Sequence, residues 1–298
     1  MRKFLLKVFF FFLILTCLDF VLGNTIDYLY KNAHGGVVKR DNLISDSIVT
    51  DVLLCGSSRC SHHYNPQIIE DSLGVTCYNI GEDGNGIILA YGRLLMIKER
   101  QLPKIIIYDF SPGFDLLVGN NKKYLSLLNC HYHRSGIKEI FHSIDKTERY
   151  KMMSKLYQYN SQFVDIVKDF VNQEKQPNYN GFRPLIGKMN HMKIKSQMVN
   201  DTIMVDSLKL KYLNQFIKIA RKECKILFVI SPIWYGMDTQ TRQPIIDICK
   251  NNGIDLIDYS NSHDYVHNDE WFIDGTHLNS KGADKFTREL IADIKRYL

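Results

Sequence analysis

The chain has 298 residues, 45% of them apolar, which is material for one enzyme-sized domain with a substantial core. Its formal charge of +6 comes from 38 basic and 32 acidic residues scattered along the chain, with no long basic run and no aromatic-basic repeat. That is the pattern of a solvated surface, and it argues against a nucleic-acid partner.

Arg2, Lys3 and Lys7 precede the almost wholly apolar residues 8–23, which include Phe9, Phe10, Phe11 and Phe12. Residues 1–23 therefore read as a signal peptide or a membrane anchor, and residues 24–298 as the domain it carries. Residues 4–22 lie near the lower length limit for crossing a bilayer, and the basic residues in front predict a cytoplasmic N-terminus. The domain would then face the periplasm or the exterior. No Ala-x-Ala site follows, and Ile14-Leu15-Thr16-Cys17 is a poor lipoprotein signal, so an uncleaved anchor is favoured over a cleaved peptide and a secreted product. Asp19, close to one end of the segment, is a cost to insertion.

Beyond the anchor, apolar runs at residues 48–55, 75–80, 104–110, 225–231 and 254–259 read as strands covered on both faces. Between and after them, residues 66–73, 85–101, 207–223, 241–252 and 280–298 read as helices, with Asn65-Pro66 as a helix start. The alternation predicts a three-layer α/β/α sandwich around a mostly parallel five-stranded sheet. Residues 111–206 fall outside it and read as a helical insertion between strands 3 and 4. A helix is expected around residues 146–174, then a turn-rich aromatic loop over residues 176–184 and a polar stretch with Met189, Met192 and Met198. Such an excursion either shapes a pocket over the strand ends or forms a peripheral pad.

The seven cysteines show no metal-ligand spacing. Cys17 belongs to the apolar segment, and Cys55, Cys77, Cys224 and Cys249 sit in or beside apolar runs, where a reduced thiol behaves as a small core residue. Cys60 and Cys130 are the candidates for exposed or paired thiols.

Two short motifs carry the chemistry. Gly56-Ser57-Ser58-Arg59 places hydroxyls on the turn after the first strand, where a following helix offers free backbone N–H groups. Asp274-Gly275-Thr276-His277 places a carboxylate three residues before an imidazole. A serine hydroxyl becomes a nucleophile when an oriented imidazole removes its proton, so the two motifs together read as a split Ser/His/Asp site. Arg59 could clamp an anionic group or pair with Asp109. His62 and His63 lack the matching ligands of a metal site, and Trp271 and Phe272 read as packing for the Asp/His turn.

Over the whole soluble domain the chain resembles the SGNH hydrolases, also called GDSL esterases/lipases. Gly56-Ser57-Ser58-Arg59 stands where that family has Gly-Asp-Ser-Leu, which carries the nucleophile onto Ser58, with Ser57 in place of the Asp. Asp274-Gly275-Thr276-His277 matches the family's Asp-x-x-His, which implies His277 as general acid/base and Asp274 as its orienting carboxylate. Asn79-Ile80-Gly81-Glu82-Asp83-Gly84 resembles the Asn-x-Gly-x-x-Gly element and carries a backbone oxyanion donor onto Gly84, beside the Ser58 N–H. The family's Gly-x-Asn-Asp is missing after the third strand, where Tyr108-Asp109-Phe110-Ser111-Pro112 stands, and Ser111 is the residue nearest the absent Asn.

The resemblance implies a serine esterase that works through an acyl-enzyme on an O-acyl ester, most simply O-acetyl, of a glycan or envelope polymer. It needs neither a metal nor an organic cofactor. The alternatives are an O-acyltransferase on the same scaffold and a non-catalytic module that binds glycan.

Overall fold

The computed structural model describes residues 1–172, 179–193 and 204–298. In chain order the helices and strands are α1 (Arg2–Lys31), α2 (Gly36–Asp46), β1 (Val52–Gly56), α3 (Ser58–His63), α4 (Pro66–Leu73), β2 (Cys77–Asn79), α5 (Ile87–Lys98), β3 (Ile105–Asp109), α6 (Pro112–Asp115), α7 (Ile137–Ile144), α8 (Glu148–Lys151), α9 (Phe163–Val171), α10 (Ser207–Ala220), β4 (Lys225–Ile230), α11 (Thr239–Asn252), β5 (Asp255–Asp258) and α12 (Ser280–Lys295). They divide between two compact units, one of Met1–Ser47 and Asn121–Pro177, the other of Ile48–Asn120 and Asn178–Leu298.

The second unit is the expected sandwich. Its five strands pair wholly in parallel in the order β2-β1-β3-β4-β5. β1 and β3 are buried along their whole length, as strands covered on both faces must be. Side chains alternate between two layers. Val52, Leu54, Ile105, Ile107, Leu227 and Val229 pack with Cys60 of α3, Tyr64 just after it, Ile69 of α4 and Phe286, Leu290 and Ile294 of α12. On the other face the Tyr108 ring meets Phe216 of α10, which packs against α5. Side-chain caps set the helix starts: Asn65 for α4, Asp206 for α10, Asp238 for α11 and Asn279 for α12. Because Asp238 accepts from Thr241 N–H, α11 begins at Thr239, two residues before its expected start.

The first unit is helical. Residues 4–22 of α1 carry exposed apolar side chains, including Phe4, Phe9 to Phe12 and Phe20 to Leu22, and the helix is long and apolar enough to cross a membrane. Its C-terminal turns then join a core of Ile26, Tyr30, Ala33, Val38, Tyr159 and Ile166. Asp19 accepts hydrogen bonds from the Ser154 hydroxyl (2.6 Å) and from the N–H groups of Lys155 (2.8 Å) and Leu156 (3.2 Å). Those amides would feed a helical ladder, and their capture accounts for a difference from expectation. In place of one helix over residues 146–174 there is the short α8, a 3-10 turn at Tyr157–Tyr159 and then α9.

The excursion of residues 111–206 accordingly divides between the two units, and residues 1–47 pack with its middle part. Residues 176–178 of the expected turn-rich loop and Met198 lie outside the described residues, while Phe182 is buried in the sandwich core and Met189 packs against it. All seven cysteines are free thiols. Cys55, Cys77, Cys224 and Cys249 are buried as expected, and so is Cys60, at 1% exposure, because α3 turns its side chain under the sheet. Cys130 is half-buried.

Leu54, wholly buried in β1 between β2 and β3, is the test of this core. Leu54→Ala is expected to cost about 2–5 kcal/mol, read from the urea midpoint at unchanged slope.

Candidate active site

Strand order 2-1-3-4-5 reverses direction between β1 and β3, and in such sheets ligands gather at the C-terminal strand ends beside the reversal. The two sequence motifs meet there. β1 ends on Gly56, paired with Asp109 of β3, and α3 starts at Ser58. Gly56 has φ +148°, and a Cβ on it would sit 2.7 Å from the Asp109 carbonyl oxygen, so only glycine closes this turn. Ser57 precedes the helix without capping it; its buried Oγ lies 2.7 Å from Ser111 Oγ. Ser58 is half-buried at the mouth, with the N–H groups of the first helical turn around it.

The Asp/His segment is a tight loop between Phe272 and Leu278. Asp274 Oδ1 accepts from Thr276 N–H (2.8 Å), Thr276 Oγ (3.0 Å) and His277 N–H (2.9 Å), so the carboxylate builds its own turn. Ile273 N–H donates to the His277 carbonyl at 2.9 Å and closes the loop. His277 Nδ1 then lies 3.0 Å from Asp274 Oδ2, and His277 Nε2 lies 2.8 Å from Ser58 Oγ. With Nδ1–H donating to the carboxylate, Nε2 is left to accept the Ser58 proton. Burial raises the Asp274 pKa, but the His277 hydrogen bond and charge and the two loop N–H groups outweigh it, so the carboxyl is held below its ordinary range.

The third element is less open than its place in the sequence implies. Ser111 is buried; its N–H donates to Asp115 Oδ2 at 2.6 Å, and its hydroxyl meets Ser57 Oγ and Arg59 Nε (3.1 Å). Its hydroxyl braces the Gly56-Ser57-Ser58 turn through Ser57 Oγ. Gly84 lies in the exposed turn after β2 at φ +69°, with open space where a Cβ would be. The Asn-x-Gly part of its motif ties β2 to α3. Asn79 Oδ1 accepts from Gly81 N–H at 2.9 Å, and its amide donates to the Cys60 (2.7 Å) and Tyr64 (3.2 Å) carbonyls. A Cβ on Gly81 would lie 2.6 Å from the Ser61 nitrogen.

The neighbouring candidates take supporting places. Arg59 is 5% exposed, donates to the Phe110 carbonyl, and keeps Nε 3.8 Å from Asp109 Oδ2, so its charge is spent inside. His62 binds the Arg183 carbonyl through Nδ1 (2.6 Å) and Asp83 through Nε2 (3.1 Å). Phe272 is fully buried, and Trp271 packs against the same core, in keeping with the packing role expected of them.

A buried chain of hydrogen bonds at the site had no signature in the sequence. Asp109, at the end of β3, accepts from Tyr64 Oη (3.0 Å) and from Ser231 N–H (2.9 Å) and Oγ (3.1 Å) at the end of β4. Ser231 Oγ lies 3.0 Å from His63 Nδ1, and His63 Nε2 accepts from Leu278 N–H at 3.0 Å. Because Nε2 is an acceptor, the ring proton sits on Nδ1 and His63 is neutral. The chain therefore fixes the helix of Ser58 against the residue that follows His277.

No protein-family model and no curated protein matches the chain. Among solved structures it is similar to a Bacteroides fragilis protein described as a “putative acylhydrolase”, at 10% identity and a TM-score of 0.42 over 87% of this chain and 97% of that one. It is also similar to a Streptococcus pneumonia protein described as a “putative platelet activating factor”, at 14% identity and a TM-score of 0.31 over 92% and 98%. Likeness at that level carries no weight about chemistry, which rests on the side chains.

Burial, with the nearby His277, Arg59 and His62 charges adding to it, pushes the His63 pKa well below its ordinary value. Below about pH 6.5 an unfolded chain takes up a proton here that the folded chain refuses, so acid withdraws stability. His63→Phe is expected to cost about 1–3 kcal/mol at pH 7.5 by orphaning the Leu278 N–H and the Ser231 hydroxyl. The gap to wild type should then narrow below about pH 6.5, by at most about 1.4 kcal/mol per unit, in urea unfolding read at several pH values.

Proposed function

We propose that the chain is a serine esterase of the SGNH type, with Ser58 as nucleophile, His277 as general acid/base and Asp274 as the carboxylate that orients the imidazole. The observation that carries this reading is the alignment of Ser58 Oγ, His277 Nε2, His277 Nδ1 and Asp274 Oδ2 through contacts of 2.8 and 3.0 Å. A half-buried serine hydroxyl hydrogen-bonded to an imidazole whose other nitrogen is tied to a carboxylate is what nucleophilic acyl transfer requires.

As Ser58 Oγ attacks the ester carbonyl carbon, its proton passes to His277 Nε2, and the carbonyl oxygen becomes the oxyanion of a tetrahedral intermediate. The N–H groups of Ser58 and Gly84 are its donors in this reading. Collapse breaks the bond to the alcohol oxygen, which leaves with the proton from Nε2, and Ser58 stays acylated. Water enters, gives its proton to Nε2 and attacks the acyl carbon, and the acid is released with the Ser58 hydroxyl restored. A sugar hydroxyl in place of that water would turn the esterase into an O-acyltransferase.

The substrate class rests on α1. A chain carried on a membrane-crossing helix, with basic residues at its cytoplasmic end, meets acylated glycans and envelope polymers on the far side, and an O-acetyl group is the simplest acyl ester there.

A fluorophosphonate probe should label the wild-type chain and not Ser58→Ala, and Ser58→Ala should lower aryl acetate hydrolysis by about 10³-fold or more. Asp274→Asn should lower kcat by about 10²- to 10⁴-fold with the fold retained. Equal labelling and equal hydrolysis in wild type and Ser58→Ala would return the domain to the class of non-catalytic glycan-binding modules.

A further inference from the structure

Four polar side chains from three parts of the chain converge in the helical unit: Tyr30 of α1, Asp41 of α2, and Cys130 and His131 of the 3-10 turn Asn129–His131. The Tyr30 hydroxyl lies 2.7 Å from Asp41 Oδ2 and 3.2 Å from His131 Nε2, which is 3.1 Å from the same carboxylate oxygen. A carboxylate oxygen of Asp41, the Cys130 sulfur and a ring nitrogen of His131 all lie within 4.8 Å of one another. Tyr30, Asp41 and His131 are 4%, 4% and 5% exposed, whereas Cys130 is half-buried and opens the cluster to solvent.

Metal bonds of about 2.0–2.3 Å in a tetrahedron separate neighbouring donors by about 3.3–3.8 Å. His131 Nε2 stands just short of that range from Tyr30 Oη (3.2 Å) and Asp41 Oδ2 (3.1 Å), the hydrogen-bonded Tyr30 and Asp41 oxygens must part by about half an ångström from 2.7 Å, and the Cys130 sulfur lies within 4.8 Å of the Asp41 and His131 donors. The donor types decide the ion. A thiolate, an imidazole and a carboxylate, with a phenol oxygen beside them, form a mixed soft and borderline set that suits Zn²⁺ and is poor for the oxygen-seeking Ca²⁺ and Mg²⁺. No spacing motif announces the set, because its members come from three separate parts of the chain.

We propose that Asp41, Cys130 and His131, with Tyr30 as fourth donor, form a structural Zn²⁺ site in the helical unit. Entry of the ion displaces to solvent the Cys130 thiol proton and the proton by which His131 Nε2 holds Asp41 Oδ2, and the imidazole binds through Nε2 with its ring proton on Nδ1. The thiolate and the Asp41 carboxylate then balance its two charges, and Tyr30 binds as the neutral phenol. One ion pins the C-terminal turn of α1 to α2 and to the segment that precedes α7, joining parts of the chain separated by about ninety residues.

The test uses the full chain in detergent, stripped by a chelator and given Zn²⁺ alone. One equivalent should remain bound after gel filtration at micromolar free Zn²⁺ and raise the thermal midpoint by about 5 °C or more. Co²⁺ in its place should give a tetrahedral spectrum with a thiolate-to-metal charge-transfer band, a signature that is read on the unaltered chain. Cys130→Ser should lose that band and weaken Zn²⁺ binding by more than the 10- to 100-fold typical of a change outside the ligand sphere, while Cys17→Ala leaves both in place. Absence of stoichiometric Zn²⁺, absence of the thiolate band, or binding unchanged in Cys130→Ser would each overturn the site and leave a metal-free hydrogen-bonded cluster. None of these readouts depends on turnover at Ser58, so the two proposals stand or fall separately.

Discussion

The buried carboxylate of Asp109 is the point from which the sandwich holds its strand ends in place. It sits at the end of β3 and collects the Tyr64 hydroxyl from the end of α3 and both donors of Ser231 from the end of β4. Through Ser231 and His63 the same chain reaches the Leu278 N–H, next to the imidazole that faces Ser58. Removing any member would leave a buried donor or acceptor without a partner, which costs more than a typical hydrogen bond contributes. The separation of Ser58 and His277 is thus fixed from beneath, by groups that never reach the mouth of the site, and reactive geometry of this kind needs such support to stay within a fraction of an ångström.

That support also explains the arrangement around Ser57 and Ser111. Ser57 stands where the SGNH pattern has an Asp, and Ser111 stands near the place of a missing Asn. The two hydroxyls pair with each other, and Arg59 donates to Ser111 from the side. A carboxylate at position 57 would add a second buried negative charge close to Asp109, whereas a hydroxyl lets Arg59 serve Asp109 and the backbone. The departures from the pattern at positions 57 and 111 are therefore coupled. They place a neutral pair of hydroxyls in the turn, beside the charged pair of Arg59 and Asp109.

Much of the sandwich is legible in the sequence because its signals are local. The inner strands β1, β3 and β4 are short runs rich in Ile, Val and Leu, and α4, α10, α11 and α12 each start on a capping Asn or Asp. Ser58, Asp274 and His277 are legible for the same reason: each belongs to a compact motif. What stays hidden depends on distance. Asp109, Ser231 and His63 are ordinary residues until β3, β4 and α3 are set side by side. Tyr30, Asp41, Cys130 and His131 carry no shared spacing, so their convergence appears only once α1 is seen to continue into the helical unit. Asp19 is the clearest instance. As part of an apolar segment it reads as a cost, yet its carboxylate terminates a helix that the sequence otherwise predicts to run on.

The carboxyl groups at the C-terminal end of the sheet show how one edge assigns different charges to one residue type. Burial raises Asp109, opposed by Arg59, Ser231 and Tyr64, and burial takes Asp115 up to about 7 despite hydrogen bonds from Tyr108 and Ser111. Asp274, half-exposed and surrounded by the donors of its own loop, moves the other way. A carboxyl held near neutrality by burial serves best as a hydrogen-bonding strut, since its charge is what burial penalises. The full negative charge then falls on Asp274, the carboxylate that faces the His277 imidazole. Burial and local donors thus drive carboxyl groups of one kind apart in pKa along a single sheet edge.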